Sequence, residues 1–363
     1  MDRTLQKIVR EVLSLPTAPY HEDAVAACIR AFAAHRGMPV KADRYGNLIV
    51  RYRRGARPRP VALTAHMDHP GFEVLDARGR DLTAEWLGAC DPQHFPGGQV
   101  TVISNGKQTP GRVTSPLSQP ENGPKTFSLR TQRPLPQVEG AFGGWRLRPV
   151  AFDGDRVWTK AADNLAGCAA ILETLDRLHR QGAEADLYGV FTRAEEVGLL
   201  GAAGLVETRP IPKRIPVIVL EASKALPGAE VGKGPIVRVG DRMSVFDPKV
   251  EYAVHSLAQG LQKNDAQFRF QRQLMSGGVC EATLYVLCGM AVGALAFPLG
   301  NYHNIGKRWP AEEYISASDM EGMVALCVAL SLHPPSGETR GPIRKRFEAL
   351  FKARRQRLLK AQK

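Results

Sequence analysis

The sequence predicts an α/β protein with a mainly parallel, mixed sheet, helices on both faces and a small β-rich domain inserted into it. Two observations lead to this fold class. Short apolar or β-branched runs alternate with helical patterns through most of the 363 residues, which is typical of a parallel sheet between helices. The alternation stops between residues 88 and 149, where nine Gly and nine Pro lie among short strand-like runs. That composition indicates a separate β-rich unit.

The individual elements follow from local patterns. Apolar residues at helical spacing predict helices, which begin at or near Leu5, His21, Asn164, Asp247, Gly278 and Ser318. Short apolar runs bounded by Gly or Pro predict strands, which begin at Asn47, Val61, Leu187, Pro216 and Val292. Ser318 and Glu321 form a capping-box pattern at the start of the last helix. We therefore expect an α/β domain over residues 1–80 and 153–335, an insertion over 81–152 and a tail over 336–363.

The basic charge is concentrated in that tail. The chain has 49 Lys and Arg against 36 Asp and Glu, a formal net charge of +13. Ten of the basic residues and a single glutamate lie in residues 340–363, so this segment carries +9 and the rest of the chain only +4. The tail predicts a basic amphipathic helix. It is interpreted as a solvated or oligomer-contacting appendage, with weak contact to RNA or to a membrane surface as the alternative.

Composition also excludes several classes of protein. No apolar run approaches the ~20 residues that span a bilayer, so membrane insertion is not expected. The charged N-terminus lacks the apolar core of a secretion signal. The six cysteines are scattered, with no C-x-x-C pair. This pattern fits reduced thiols in the cytoplasm better than a framework of disulfides.

Histidines and carboxylates follow the predicted strands. His66 and Asp68 end the strand that begins at Val61, and residues two apart in an extended chain point the same way. Asp68 could therefore orient a metal-binding imidazole; equally, the pair could be a strand-end histidine and an aspartate turn. Asp163 precedes an apolar helix, where it is either an N-cap or a metal ligand.

Three further segments complete the set. Glu195 and Glu196 follow the strand LYGVFT, where two adjacent carboxylates are costly unless a cation compensates them; the alternative is an exposed helix start. Glu221 ends the run VIVL, and His303 lies in a loop after VGALAF. Apart from Asp68, these residues offer two imidazoles and four carboxylates, the ligand types that two zinc ions need.

These segments resemble the tetrahedral aminopeptidase family, the glutamyl and deblocking aminopeptidases with two zinc ions. The resemblance covers roughly residues 5–333. It is carried by motifs that occur in the family's order: LPTAPYHE, DRYGNLIV, AHMDHPGF, ADNLAGCAA, EEVGLLGA and GKGPIVRVGDRMSVFDPKV. It implies a zinc-peptidase-like fold and a homo-oligomer that assembles through the insertion.

The resemblance also implies a role for each candidate residue. His66 and Glu221 would bind one metal, Glu196 and His303 would bind the other, and Asp163 would bridge the two ions. Asp68 would support His66, and Glu195 would be the general base. The expected cofactors are two divalent ions, zinc or alternatively cobalt or manganese.

The chain departs from the family pattern at three places. Glu221 stands where an aspartate is usual, and GNYHNIG and SGGVCEAT replace the usual loops. The expected function is an aminopeptidase that acts on short peptides. A carboxypeptidase or a deacylase of N-acyl amino acids remains open on the same metal site, as does a nucleic-acid-binding protein whose site has decayed. His69, His94 and Lys224 lie near these motifs and could contact substrate; otherwise they are polar loop residues.

Overall fold

The computed structural model describes residues 1–56, 58–335 and 341–360. The helices are α1 (Arg3–Leu13), α2 (Asp23–Ala34), α3 (Ala162–Gln181), α4 (Leu200–Thr208), α5 (Pro248–Asn264), α6 (Glu281–Leu287), α7 (Ala317–Leu332) and α8 (Gly341–Lys360). The strands are β1 (Val40–Ala42), β2 (Leu48–Arg54), β3 (Pro60–His66), β4 (Gly71–Arg78), β5 (Asp81–Leu87), β6 (Gln99–Ser104), β7 (Lys107–Val113), β8 (Thr126–Thr131), β9 (Phe142–Trp145), β10 (Val150–Asp153), β11 (Arg156–Thr159), β12 (Ala185–Thr192), β13 (Val217–Lys224), β14 (Ile236–Asp241), β15 (Gln271–Met275), β16 (Val292–Leu299) and β17 (Glu313–Ser316).

An eight-stranded sheet forms the centre of the molecule, in the order β1-β2-β12-β3-β13-β16-β14-β15. The four central strands β12, β3, β13 and β16 are parallel neighbours. Towards the edges, β2 pairs antiparallel with β12 and β14 pairs antiparallel with β16. The predicted mainly parallel, mixed sheet is therefore confirmed. All four central strands end at the same edge, which gathers the loops that follow them.

Alternate residues of the central strands enter two different apolar cores. Leu63 and Leu220 pack with α1, α3 and α7 on one face of the sheet. Ala62 and Val219 pack with α4 and α6 on the other face. Because side chains alternate along a strand, near-continuous apolar runs are what a sheet buried on both faces requires. The prediction of helices on both faces is confirmed.

The insertion is a six-stranded closed barrel in the order β4-β5-β8-β7-β6-β9. Its own core contains Phe72, Trp86 and Phe127, whose rings lie within 6.4 Å of one another centroid to centroid. The predicted β-rich unit is thus a barrel. Since its first strand begins at Gly71, we infer that the insertion starts there rather than at residue 81.

A third sheet, β10-β11-β17, lies where the chain returns from the barrel. After β17 the chain enters α7, whose N-cap is Ser316; its hydroxyl accepts the amide N–H of Asp319. The capping box predicted at Ser318 is wrong, because the Ser318 hydroxyl instead donates to Asp155.

Helix α8 follows the end of the α/β fold. All of its described side chains, residues 344–359, are exposed. Across the described part of the chain, no helix combines the length and apolar character needed to cross a membrane.

Candidate metal centre

The edge where the central strands end brings His66 and Glu221 together. His66 is the last residue of β3, and Glu221 lies on the neighbouring strand β13. Their side chains are almost fully buried, and His66 Nε2 is 3.4 Å from Glu221 Oε1. Adjacent parallel strands therefore supply an imidazole and a carboxylate to one point.

Asp163 lies between two histidines that are far apart in the sequence. Its Oδ1 is 3.3 Å from His66 Nε2, and its Oδ2 is 3.5 Å from His303 Nε2. Asp163 is at the start of α3, but its φ/ψ of −85° and 104° is not helical. Asn164, rather than Asp163, caps the helix that follows: its Oδ1 accepts the N–H of Gly167 at 3.2 Å. The carboxylate faces the two imidazoles, as a bridging group would.

The turn after β12 directs two neighbouring glutamates to different histidines. Glu195 Oε2 is 3.9 Å from His66 Nε2, whereas Glu196 Oε2 is 3.4 Å from His303 Nε2. Both amide N–H groups of this pair donate to Asp68, at 3.0 Å each. Asp68 Oδ1 is also 3.3 Å from His66 Nδ1. One buried aspartate therefore links the histidine to the turn that carries both glutamates.

A second carboxylate holds the residues just before this turn. Buried Glu22 accepts the N–H of Ala194 at 2.9 Å and pairs with Arg193 at 2.7 Å. Ala194 has a positive φ of 49°, which is unfavourable for a residue with a side chain. The sequence analysis quoted Glu22 only as part of the motif LPTAPYHE, and burial of a charged residue in that motif was not predictable from its spacing.

Glu313 is a further buried carboxylate that the sequence analysis missed. It accepts the N–H groups of Ala162, Asp163 and His303. Nothing in the local pattern separates it from its neighbour Glu312, which pairs instead with Arg148 near the surface.

Burial and mutual contacts shift the acid–base properties of the cluster. Burial raises the pKa of Glu195 and Glu196 well above their usual range, and neighbouring carboxylates add to the effect. Burial would lower the pKa of His66, but the surrounding carboxylates outweigh it and raise this pKa. Burial opposes ionisation of Asp163, yet its contacts with His303 and His66 lower its pKa. These shifts reflect the crowding of carboxylates around two histidines in a buried site.

The residues fit a pair of divalent cations. Among the described residues, the carboxylates of Asp163, Glu195, Glu196 and Glu221 form ion pairs only with histidines. Two buried atoms, Glu196 Oε1 and His303 Nδ1, have no hydrogen-bond partner among the described residues. Uncompensated buried carboxylates are unstable without a cation, and imidazole with carboxylate is a donor set that suits zinc.

The ligand atoms fall into two groups, and within each group all of these atoms lie within 4.8 Å of one another. One group comprises His66, Glu195 and Glu221, and the other comprises His66, Asp163 and Glu196. His303 lies beside the second group, at the distances given above. The structure thus brings all seven predicted site residues together, and Glu195, expected as the general base, is a member of the first group.

A cavity opens beside these ligands, and a buried arginine side chain lines it. Arg238 on β14 lines it and is only 2% exposed. Its Nη1 donates to Ser223 Oγ at 3.3 Å, while its Nε has no hydrogen-bond partner in the part of the chain that the structure describes. Lys224 also lines this cavity but is exposed. Arg238 was not singled out by the sequence analysis, where it appeared only inside the motif GKGPIVRVGDRMSVFDPKV.

The other two alternatives for substrate contact lie outside this cavity. His69 contacts the backbone carbonyl of Asp163 and the side chain of Asn304. Burial lowers the pKa of His69 to about 4. His94 is buried as well, 3.2 Å from the carbonyl of Gly306. Both rings therefore bond to the protein's own groups.

Solved structures share this fold. A TET aminopeptidase from the marine sediment archaeon Thaumarchaeota archaeon SCGC AB-539-E09 matches with a TM-score of 0.77 at 22% identity, over 93% of this chain and 99% of that chain. The Pyrococcus horikoshii TET1 peptidase, described as able to assemble into a tetrahedron or a large octahedral shell, matches with a TM-score of 0.74 at 20% identity, over 91% and 99%. At these identities the likeness establishes the fold.

Curated relatives are similar in sequence. A putative aminopeptidase of Acetivibrio thermocellus is 29% identical over 184 residues, which are 49% of this chain and 52% of that protein. The chain thus spans about half the length of this relative. The putative aminopeptidase FrvX of Escherichia coli (strain K12) is 29% identical over 314 residues, 78% of this chain and 83% of that protein.

The fold and the ligand cluster define a metal-dependent hydrolase. A family model described as M42 glutamyl aminopeptidase matches residues 139–324, which is 186 of the 363 residues. The chain belongs to this family, and its enzyme class is that of the metallopeptidases. The aminopeptidase class that the resemblance implied is confirmed, and the carboxypeptidase, deacylase and nucleic-acid alternatives are not favoured.

Proposed function

We propose that the protein removes the N-terminal residue of short peptides with the help of two divalent cations, zinc in the first place. One observation carries the proposal: four buried carboxylates and two histidines face one another beside an open cavity, and no Lys or Arg among the described residues pairs with these carboxylates. Bound ions would polarise the scissile carbonyl and make a water acidic.

The proposed ligands follow from the distances. His66 and Glu221 hold the first ion, His303 and Glu196 hold the second, and Asp163 contacts both through its separate oxygens. This division is supported by the 3.3–3.5 Å separations between the histidine and carboxylate atoms of each half. Asp68 positions His66 and the turn that carries Glu196, through the contacts described above.

Glu195 is the proposed general base. Its Oε2 is 3.9 Å from His66 Nε2, which is longer than a hydrogen bond. The carboxylate can therefore accept a proton. The carboxylate takes a proton from the attacking water and delivers it to the amine that leaves.

Arg238 supports a preference for an acidic N-terminal residue. A buried guanidinium with an unpaired N–H is costly, and a substrate carboxylate reaching into the cavity would satisfy it as a charge-assisted pair. The description of the family as glutamyl aminopeptidases agrees with this preference. Lys224 is exposed at the same cavity and would contribute less because solvent screens it.

The test compares amino-acid anilides with C-terminally free dipeptides and N-acyl amino acids. We expect chelator-sensitive hydrolysis of the anilides, fastest for the glutamyl substrate. Arg238→Met should remove most of the preference for glutamyl over leucyl anilide, by raising KM for the glutamyl substrate. Lys224→Met should change it less. A metal-replete protein that cleaves none of the substrates would contradict the proposed function.

We further propose a homo-oligomer that is located in the cytoplasm. The relative from Pyrococcus horikoshii, with its described assemblies, supports the first part. The second part rests on the scattered cysteines, which lack the spacing of a disulfide framework. Light scattering during gel filtration measures the oligomer, and elemental analysis distinguishes zinc from cobalt and manganese.

A further inference from the structure

Glu313 occupies an unusual position beside the metal centre. It begins β17, which pairs antiparallel with β11, and its register partner is Thr159. Because β11 runs directly into the start of α3, this pairing brings Glu313 against the segment that carries Asp163. The same strand follows the loop of His303. Glu313 therefore stands where the two ligand segments of the second ion meet.

The Glu313 carboxylate binds both segments. Oε2 accepts the N–H of Ala162 at 2.7 Å and the N–H of Asp163 at 3.0 Å. Oε1 accepts the N–H of His303 at 2.8 Å. The side chain is fully buried, and among the described residues no lysine or arginine pairs with it. In all three contacts the oxygens of the Glu313 side chain act as acceptors.

The His303 loop needs such an external constraint. Asn301, His303 and Asn304 all have positive φ values between 54° and 58°, a conformation that asparagine tolerates but that is uncommon for histidine. The hydrogen bond from His303 N–H to Glu313 is one such constraint. The matching bonds to Ala162 and Asp163 set the position of the other ligand segment.

We propose that Glu313 is a positioning residue that fixes Asp163 relative to His303 and thereby makes the binding site for the second ion. The inference rests on the proposed two-ion function and adds a residue to it. Glu313 touches neither substrate nor ion; it acts through the backbone of two ligands. Carboxylates that orient ligands in this way typically contribute a factor of 10–100 to metal affinity.

Glu313→Gln is the informative substitution because it changes the acceptors without changing the size. An amide has one acceptor oxygen and one NH2 group, so an NH2 must face either His303 N–H or the pair of N–H groups at Ala162 and Asp163. The variant therefore loses its hydrogen bonds to one of the two ligand segments. Glu312→Gln is the matched control, since the neighbouring Glu312 pairs with Arg148 and leaves the ligand segments alone.

The experiment is a titration of the full-length, metal-free proteins with Zn²⁺ by calorimetry, with Co²⁺ absorption as a second readout. Wild type should bind two ions, and Glu312→Gln should bind each of them as tightly as wild type does. Glu313→Gln should bind the second ion about 10-fold or more weakly and the first ion less weakly than that, since Asp163 contacts both ions; the Co²⁺ spectrum should change. Circular dichroism of the metal-free proteins establishes that each variant is folded.

A second variant separates positioning from a general loss of stability. In a His303→Ala background the second site is already damaged, so Glu313→Gln should add little to the loss, as expected for residues that act as a unit. The inference would be overturned if Glu313→Gln weakened zinc binding as much in the His303→Ala background as in wild type. It would also be overturned if Glu313→Gln weakened the binding of both ions equally. If Glu313→Gln binds both ions with wild-type affinity, the positioning role of Glu313 is overturned while the proposed function stands. If the wild-type protein binds no zinc, both the positioning role and the proposed function are overturned.

Discussion

Glu195 and Glu196 are adjacent in the chain, yet their side chains face different histidines. The separation arises from the turn, in which Ala194 has a positive φ and both glutamate N–H groups donate to Asp68. Residue type alone would assign the same role to both. Their backbone geometry leaves Glu196 with His303 and brings Glu195 towards His66.

Replacement of Glu195 by Gln tests this division of roles. A glutamine cannot take up a proton, so kcat should fall by about 10²–10⁴-fold, while the protein retains its ions. Anilide hydrolysis and elemental analysis of the same sample measure the two effects. Glu207→Gln is a suitable control, because Glu207 is exposed and pairs with Arg44 at a distance from the site. Loss of metal in Glu195→Gln would instead make Glu195 a ligand.

Lys160 gives a prediction about stability and pH. Burial lowers its pKa to about 8, and among the described residues no carboxylate forms an ion pair with it. A protonated Lys160 therefore destabilises the fold at neutral pH, by up to about 3 kcal/mol for this shift. Because the unfolded chain binds the proton more tightly, this penalty decreases as pH rises from about 8 towards the usual lysine pKa.

Lys160→Met should accordingly raise the free energy of unfolding at pH 7 by about 1–3 kcal/mol. The gain should shrink between pH 8 and pH 9.5. Urea unfolding across this range measures it, with exposed Lys107→Met as a control that should change little. A gain that does not depend on pH would show that packing, rather than charge, is responsible.

At the scale of elements, the site is built from strand ends and from the loops that follow them. β3 and β13 are neighbours in the sheet, and β12 and β16 flank them. Their parallel direction places His66, the turn after β12 and the loop after β16 at one edge. Such gathering could be predicted from the alternation of strands and helices, since parallel strands share their carboxyl end.

Helix α8 is an element that the rest of the fold does not need. Its described side chains are exposed, including Phe347 and Phe351. Deletion of residues 341–363 should therefore leave kcat and the midpoint of thermal unfolding unchanged. It should abolish any salt-dependent binding to RNA or to anionic vesicles, measured by co-sedimentation. A smaller oligomer after the deletion would instead support the interpretation of the tail as a contact between subunits.

At the scale of the whole molecule, metal binding is coupled to stability. Removal of the ions leaves several buried carboxylates facing one another, so the metal-free protein should unfold at a lower temperature than the loaded one. Scanning calorimetry before and after dialysis against a chelator measures the difference. Added Zn²⁺ should restore both the unfolding temperature and the activity. Equal unfolding temperatures would contradict a structural coupling of the two ions.

The limits of prediction are clear from particular residues. Ser318 matched a helix cap, but the helix begins earlier because Ser316 accepts the N–H that a cap must satisfy. Asp163 could be an N-cap or a ligand on sequence grounds, and its spacing did not decide between them. Glu313 and Glu312 could not be distinguished at all. In each case the outcome depends on partners from distant parts of the chain.

The sequence by itself determined the alternation of strands and helices, the β-rich insertion, the concentration of charge in the tail and the identity of the candidate ligands. Periodicity, breakers and composition are local properties, so they can be read along the chain. Only the tertiary structure decided that Asp163 lies between two histidines, that Glu22 and Glu313 hold the ligand segments, and that Arg238 faces the cavity. These relations depend on how strands register and pack, which is a property of the folded chain.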